Sequence, residues 1–492
     1  MQRKYTFAEL STICLLLLAP VIRLALLTGP SGSDDVNYFH FSQQLSHFEH
    51  FTTLHHHAGR LAFLLLVGVP AALFGSITSG AIINVLVLSL RDLLVVWFVR
   101  RETDMPCAAI AAAIVSLNAI STTYAGLLIP DPLMSLLVFG SAVAVYLGLQ
   151  ERTVARGRWI ALAGALAAMS YSAKDPGILI TAPSMLYILL GPGFRLPARV
   201  RLAALYVAGL VGVAALESLA FYVISGDFLY RTHAISKIHN ATIVEQPNLI
   251  AFVHATYWNL RLVTTLEVAS TGVLIASALV FVLALATRAR LAYFSAAGLF
   301  IGAYLIFGSS SFTRFMPLPV QDRYFEPLVA FLAVSAAALT HRYARRAGPR
   351  AFRLATAGVA LMVVGSLPSV AANAGDVTSS GVGRNVAIAL RAAHAARPDL
   401  PIFLSPVVHK MIEPFVSPEL YAVLQPMSGN VPARAFYLSH PWEKESTAVP
   451  MLATMKSLPV YLVVDEDQRY LWRFSNEAKA ADRGATVRIG GQ

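Results

Sequence analysis

Charge is the scarcest feature of this 492-residue chain. Only 13% of its residues are charged, whereas 56% are hydrophobic and the mean hydropathy is +0.62. A soluble protein carries about 25% charged residues, and a soluble core cannot bury this much apolar sequence. The composition therefore excludes an ordinary soluble protein and predicts a polytopic membrane protein.

Cysteine is also scarce, and glycine-rich nucleotide-binding patterns are absent. Cys14 and Cys107 both lie within apolar segments, which argues against a disulfide framework. The chain contains no glycine-rich phosphate loop and no dinucleotide-binding fingerprint. Its net charge of +11 fits arginines on cytoplasmic loops, and no basic patch with interleaved aromatics points to nucleic acid.

Apolar segments follow one another along most of the chain. A transmembrane helix needs about 20 predominantly apolar residues, and on this basis we predict about 11 spans. They lie at residues 10–29, 80–99, 105–127, 131–150, 158–173, 177–190, 202–224, 266–287, 291–308, 324–341 and 354–372. The first apolar segment has no convincing signal-peptide cleavage site, so we predict a retained helix. Arg91, Asp92 and Glu217 fall within spans and are expected to form ion pairs.

One shorter apolar segment, residues 61–75, decides the predicted topology. It has about 15 residues, which is below the usual minimum for a span. If it does not cross, and the N-terminus is cytoplasmic, the arginine-rich loops all fall inside, as the positive-inside rule requires. We therefore predict a juxtamembrane helix at the outer interface.

This topology places a set of polar residues on the non-cytoplasmic face, although none was used to derive it. They are Asp34, Asp35, Asp131, Lys174, Arg314 and Arg323. The tail falls on the same side, is richer in charge and proline, and has a helical pattern at 385–396 and strand patterns at 401–405 and 459–464. We predict a transmembrane domain over 1–372 and a small extracytoplasmic α/β domain over 373–492.

Two acidic sites at the outer face are candidates for acid–base chemistry. Asp34 and Asp35, followed by Tyr38, come just after the first span, where a carboxylate can act as general base on a hydroxyl. The alternative is a solvated acidic loop that caps a juxtamembrane helix. Asp131 lies between two prolines, which fix the direction of the turn. The alternative there is an N-cap for the following helix.

A lysine and two arginines at the same face are candidates for holding a phosphate. Lys174 lies in a turn between two short apolar segments, where an ammonium can bind a phosphate as a point charge. Arg60 and Arg323 run against the positive-inside bias, and Tyr324 follows Arg323. The alternatives are pairing of Lys174 with Asp175 or with lipid headgroups, and interfacial anchoring by the arginines and the tyrosine.

Six histidines crowd the first outer segment: His40, His47, His50, His55, His56 and His57. One interpretation is a divalent metal site with His55 and His57 as ligands. Their spacing matches no compact zinc motif, so we favour interfacial histidines. The sequence indicates no required cofactor.

The order of these motifs resembles the GT-C superfamily of membrane glycosyltransferases. The resemblance covers most of residues 1–345 and is closest to protein O-mannosyltransferases and lipid A aminoarabinose transferases. Asp34-Asp35-Val36-Asn37-Tyr38 is similar to the acidic motif of the family's first outer loop. Pro130-Asp131-Pro132-Leu133 is similar to its second acidic turn.

Four further segments carry the resemblance. Residues 55–75 resemble the juxtamembrane helix that ends in Phe-Gly, and residues 173–177 resemble the lysine turn. Residues 225–231 are similar to the segment after the seventh span, and Arg323-Tyr324 is similar to the late Arg-Tyr motif. The fold implied is a GT-C-like α-helical polytopic membrane protein with outer juxtamembrane helices.

The resemblance implies an inverting glycosyltransferase at the outer face of a bacterial inner membrane. A sugar would pass from a polyprenyl-phosphate carrier to a cell-envelope acceptor, which is a lipid, a glycan or a protein. Asp34 would deprotonate the acceptor hydroxyl, and Asp131 would orient the acceptor or the base. Lys174, with Arg60 or Arg323, would stabilise the leaving phosphate. The residues implied to bind substrate are Asp35, Tyr38, Arg60, Lys174, Arg323 and Tyr324.

Two other function classes compete with glycosyl transfer. A transporter or flippase explains polar residues near helix ends, but it predicts inverted repeats and charges near the midplane. An assembly or sensor protein explains the C-terminal domain, but not motifs at the ends of separate helices. We see no repeat, and we favour glycosyl transfer, with a lipid-linked sugar, the bilayer and an acceptor as partners.

Overall fold

A computed structural model describes residues 6–27, 34–151, 153, 155–191, 195–241, 268–287, 291–309 and 322–347, with short pieces after residue 386 that include 401–404, 416–426, 436–438 and 462–463. The chain divides into two compact units. The first is Met1–Leu27 with Tyr38–Ala374, and the second is Thr28–Asn37 with Gly375–Gln492. Asp34 and Asp35 therefore group with the second unit.

The first unit is built from helices. In chain order, the described α-helices up to residue 347 are α1 (Phe7–Ala25), α2 (Asp34–Ser46), α3 (Leu61–Phe63), α4 (Val69–Leu73), α5 (Ile77–Glu102), α6 (Met105–Ser116), α7 (Ala119–Ala125), α8 (Asp131–Gln150), α9 (Ala155–Ala173), α10 (Thr181–Leu190), α11 (Leu196–Ser225), α12 (Tyr230–Ala241), α13 (Val268–Ala286), α14 (Ala292–Phe307) and α15 (Glu326–Ala347). A π-helical turn (Leu64–Gly68) joins α3 to α4. Two 3-10 turns (Asp175–Ile180 and Asp322–Phe325) precede α10 and α15.

Length and composition identify the helices that can cross a membrane. Among the described residues there are five: Phe7–Ala25, Ile77–Glu102, Asp131–Gln150, Leu196–Ser225 and Arg323–Tyr343. The pair α6–α7, bent by 49°, makes a sixth if it counts as one span. Other predicted spans correspond to shorter or less apolar helices, and 354–372 lies outside the described residues. The helical class of the protein is confirmed, whereas the number of spans and their sidedness stay predictions.

Local sequence sets where these helices begin and end. Thr6 and Glu9 form a capping box at the start of α1. Ser76 caps α5, and Asp104 caps α6 by accepting from a backbone N–H in the first turn. Gly226 ends α11 with φ +74°, a left-handed conformation that glycine adopts without a Cβ penalty. These signals decide which residues are left in the turns.

Helices α9 and α11 cross at close range because two glycines face the opposite backbone. A Cβ on Gly164 would stand 1.9 Å from the Tyr206 carbonyl oxygen, and one on Gly209 would stand 2.0 Å from the Ala161 carbonyl oxygen. Small residues at a helix crossing allow this backbone approach, which is a common device in membrane proteins. The crossing holds α9, and therefore the turn that follows it, against α11.

Charges within the bundle are paired, as expected for Arg91 and Asp92. Arg23 lies 2.8 Å from Asp92, and Arg91 lies 2.7 Å from the other oxygen of the same carboxylate. Arg91 also pairs with Glu326, whose carboxylate accepts from Ser121 at 2.9 Å. Two arginines and two carboxylates thus neutralise one another where no solvent reaches them.

The second unit contains a parallel sheet. Its described strands are β1 (Ile402–Leu404), β2 (Leu424–Pro426), β3 (Phe436–Leu438) and β4 (Leu462–Val463), in the order β2-β1-β3-β4. The register pairs Ile402 with both Leu424 and Phe436. A short helix, α16 (Pro418–Val423), leads into β2. Strands β1 and β4 lie in the two segments predicted as strands.

The crossing of α9 and α11 can be tested by adding one methyl group. Gly209→Ala forces the two helices apart, and we expect it to lower the free energy of unfolding by about 1–3 kcal/mol. Gly212→Ala in the same helix is the matched control, because a Cβ there meets nothing within 4 Å. Thermal unfolding of the two detergent-purified variants measures the difference. Equal melting temperatures would contradict the close crossing.

Candidate active site

A buried ion pair forms the centre of the candidate site. Lys174 occupies the turn between α9 and the following 3-10 turn, and its ammonium donates to Oδ1 of Asp131, the first residue of α8. Both side chains are buried. The Lys174 Nζ also lies 3.9 Å from the centroid of the Tyr324 ring, within cation–π range. The structure thus brings together three residues that the sequence analysis selected separately.

Two alternatives for these residues are excluded by the contacts. Asp131 does not cap α8, because the cap position is Pro130 and no side-chain capping bond is present there. Lys174 does not pair with its neighbour Asp175, which instead accepts from Arg231 at 2.5 Å. The Asp131 Oδ2 atom is buried and accepts no hydrogen bond from the described part of the chain. One carboxylate oxygen is therefore engaged by Lys174, and the other is not.

Burial and positive neighbours make the Lys174 ammonium unusually acidic. Burial, reinforced by the charges of Arg323 and Arg60, lowers the pKa of Lys174 to about 7, although Asp131 acts in the opposite direction. Lys174 lies between helices rather than within one. The positive charges of Arg323 and Arg60 both repel this ammonium, so the electrostatic fields of three basic groups overlap here. Such a region favours an anion.

Tyr38 forms the second part of the site. It is fully buried, and its ring meets His57 at 4.6 Å and Phe63 at 4.9 Å, both edge to face. The Arg60 guanidinium carbon lies 5.4 Å from the Tyr38 ring centroid. Arg60 also interacts electrostatically with Lys174, so the same arginine interacts with both the tyrosine and the ion pair. Across the site, Arg323 lies 5.7 Å from the Tyr324 ring centroid.

Asp34 and Asp35 begin α2, one turn before Tyr38. Both lie in the first turn of the helix, where a carboxylate is favoured by the helix dipole. Asp35 is buried and Asp34 is half-buried. The solvated-loop alternative therefore does not describe Asp35. The proximity of either carboxylate to Lys174 stays a prediction, as do the roles assigned to them.

An arginine that the sequence analysis did not select holds the lysine turn in place. Arg231, the last residue of the segment 225–231, donates to the carbonyl of Gly59 at 3.1 Å and lies 3.3 Å from Glu217. It also pairs with Asp175, and it lies over the Tyr171 ring at 4.0 Å. Its partners come from the segment before α3, from α9 and the turn after it, and from α11.

Glu217 extends this network. It accepts from the Ser172 hydroxyl at 2.5 Å, and that hydroxyl accepts from the Ala62 backbone N–H at 3.0 Å. The expected ion pairing of Glu217 is confirmed, with Arg231 as the partner. The signal for this pairing was present in the sequence, since a carboxylate in an apolar helix needs a cation. The partner could not be named, because Arg231 lies beyond the end of that helix.

The Arg231 network predicts a stability defect that a second substitution relieves. Arg231→Met leaves two carboxylates without their cation, and we expect a loss of about 3–5 kcal/mol in the free energy of unfolding. Adding Glu217→Gln removes one uncompensated charge and should restore part of this loss. Arg201→Met, at an exposed position in α11, is the control. Thermal unfolding in detergent compares these three variants with wild type; an unaltered Arg231→Met would contradict the network.

Known structures share this arrangement of helices. Neither a protein-family model nor a curated protein matches the chain. It is similar to ArnT from Cupriavidus metallidurans in the apo state, with TM-score 0.55 and 14% identity over 84% of this chain and 88% of that one. The same protein bound to undecaprenyl phosphate gives TM-score 0.54 and 14% identity over 84% and 89%.

An archaeal structure is also similar. The oligosaccharyltransferase of Archaeoglobus fulgidus, in complex with Zn and sulfate, gives TM-score 0.51 and 15% identity over 84% of this chain. This chain spans 62% of the length of that protein. The resemblance found in the sequence is thereby confirmed for the fold. The chain has the GT-C fold of membrane glycosyltransferases.

Proposed function

We propose that this protein is an inverting glycosyltransferase that moves a sugar from a polyprenyl-phosphate carrier to a cell-envelope acceptor. The observation that carries the proposal is the buried Lys174–Asp131 pair over Tyr324, with the charges of Arg60 and Arg323 acting on the same ammonium. The fold supports it, because ArnT has this fold and was solved bound to undecaprenyl phosphate.

The basic groups suit a phosphate leaving group. As the bond between the anomeric carbon and the phosphate oxygen breaks, negative charge grows on the phosphate. Lys174, together with Arg60 or Arg323, stabilises this charge most strongly in the transition state, which is the requirement for catalysis. Asp131 holds the ammonium in place through Oδ1, and its Oδ2 is available to orient the acceptor or the base.

A carboxylate is proposed to activate the acceptor. Asp34 takes the proton of an acceptor hydroxyl, whose oxygen attacks the anomeric carbon from the face opposite the phosphate. The new carbon–oxygen bond inverts the configuration, and the polyprenyl phosphate leaves. Asp35 and Tyr38 border the acceptor side of the reaction. We place this chemistry at the outer face of a bacterial inner membrane, with the N-terminus cytoplasmic and the C-terminal domain extracytoplasmic.

Sugar transfer in a defined system tests the proposal. Purified protein in nanodiscs is incubated with a panel of radiolabelled polyprenyl-phosphate sugars and a membrane extract as acceptor. We expect wild-type protein to transfer label, and Asp34→Asn and Lys174→Met each to lower the rate at least about a hundredfold, since each removes a group acting on the transition state.

Matched variants show whether the loss is specific. Glu49→Gln changes an exposed carboxylate and Lys237→Met an exposed lysine, so both should transfer label at the wild-type rate. If wild type consumes no donor of the panel, glycosyl transfer is wrong. Movement of a lipid-linked substrate across the membrane of proteoliposomes that contain the protein would then favour the transporter or flippase alternative.

The low pKa of Lys174 predicts how donor binding depends on pH. The donor is a phosphodiester and keeps one negative charge throughout the neutral range, so only the protein titrates. Lys174 is charged below about pH 7 and loses its charge above it. We expect the dissociation constant of the donor to increase with pH above 7, by up to about tenfold per unit.

Lys174→Arg is the control for this effect. A guanidinium stays charged over the whole range, so donor binding to Lys174→Arg should not change between pH 7 and 9, whatever its affinity at pH 7. Equilibrium binding of the labelled donor to detergent-purified protein measures both curves. Parallel pH profiles for the two proteins would contradict titration of Lys174.

A further inference from the structure

Three consecutive histidines converge before α3. One ring nitrogen of each of His55, His56 and His57 lies within 4.8 Å of the others. The His55 and His57 rings stack with centroids 4.9 Å apart, and the His56 and His57 rings lie 3.8 Å apart. His57 is only 4% exposed, so interfacial anchoring does not describe it. A turn has brought three potential metal ligands to one place.

The closest pair of nitrogens has the separation that a metal requires. Nδ1 of His55 and Nδ1 of His57 are 3.2 Å apart. Zinc binds imidazole nitrogen at about 2.0–2.1 Å, so two nitrogens of a tetrahedral site lie about 3.3 Å apart. The backbone N–H of His57 also donates to Nδ1 of His55 at 3.3 Å. An accepting Nδ1 carries no proton, and its single lone pair can bind a metal once this hydrogen bond breaks.

We propose that His55, His56 and His57 bind one divalent transition-metal ion of the zinc class. Three neutral imidazoles suit Zn²⁺ and Co²⁺ better than the oxygen-seeking Mg²⁺ or Ca²⁺. Three protein ligands leave a fourth position for water or another small ligand. When the metal binds, the Nδ1 atoms of His55 and His57 exchange their hydrogen bonds for bonds to the ion, and the proton of each ring resides on Nε2.

The metal would stiffen a segment that contacts Tyr38 and leads to Arg60, two residues of the candidate active site. His57 packs against Tyr38, and the chain continues from the histidines through Gly59 to Arg60. On the other side, the Tyr230 hydroxyl accepts from the His55 N–H at 3.3 Å and donates to the Thr53 carbonyl at 2.6 Å. The ion therefore acts as a positioning element for Tyr38 and Arg60, and its binding does not depend on the proposed reaction.

Metal binding is measured directly on the full-length protein in detergent, carrying an affinity tag without histidine. After treatment with a chelator, the protein is dialysed against Zn²⁺ at pH 7.5, and bound metal is quantified by mass spectrometry. We expect one equivalent of zinc, a rise in melting temperature, and the visible absorption of tetrahedral Co²⁺ when cobalt replaces zinc. Binding should weaken at pH 5.5, because protonated imidazole does not bind metal.

Substitutions of the half-exposed histidines test whether these residues, and not other histidines nearby in the chain, bind the metal. His55→Ala and His56→Ala should each weaken zinc binding at least tenfold, whereas the exposed His47→Ala should bind as wild type does. Melting curves with chelator present verify that each variant folds. The proposal is overturned if wild type binds no zinc, or if His55→Ala and His56→Ala bind it as tightly as wild type.

Discussion

The rest of the site depends on the ion pairs that the Arg231 guanidinium forms with Asp175 and Glu217. Removing a charge from water costs several kcal/mol, and this cost is recovered only with well-placed opposite charges and acceptors. Arg231 pairs with two carboxylates, donates to a backbone carbonyl and lies over an aromatic ring. The planar fork of arginine suits such multiple contacts. Because the partners lie in separate segments, one side chain fixes the lysine turn against α11 and the segment before α3.

Lys174 lies in the same turn as Asp175, one of these partners, yet its electrostatic surroundings are different. Arg231 is surrounded by two carboxylates, those of Asp175 and Glu217. Lys174 pairs with the one carboxylate of Asp131 and is repelled by the positive charges of Arg60 and Arg323. The Arg231 guanidinium has little affinity for an added anion, since two carboxylates already neutralise its charge. The group around Lys174 has an excess of positive charge, and such a group attracts an anion. The turn thus joins a support of paired charges to a positively charged site, an arrangement that suits the proposed departure of a phosphate.

Sequence reasoning selected Asp131, Lys174 and Tyr324, but it could not show that they touch. Asp131 and Lys174 are separated by 43 positions, and the sequence around Lys174 alone favoured pairing with Asp175 or with lipid headgroups. The same limit applies to the histidines. Their linear spacing matched no zinc motif, so interfacial histidines were favoured, whereas the folded turn brings all three together. Arg231 was missed as a site residue because its partners lie as far as 172 positions away.

Hydropathy, helix caps and turn residues act over a few neighbouring positions, and for this reason the amino-acid sequence was sufficient for the membrane class, most helices and the short motifs. Partner choice among the buried charges depends instead on how helices cross. Gly164 and Gly209 let α9 and α11 approach at backbone contact. This approach brings the end of α9 to the carboxylate of Glu217 and the lysine turn to Arg231. Only the tertiary structure decided these pairings, because the free energy of a buried charge depends on neighbours that are distant in the chain.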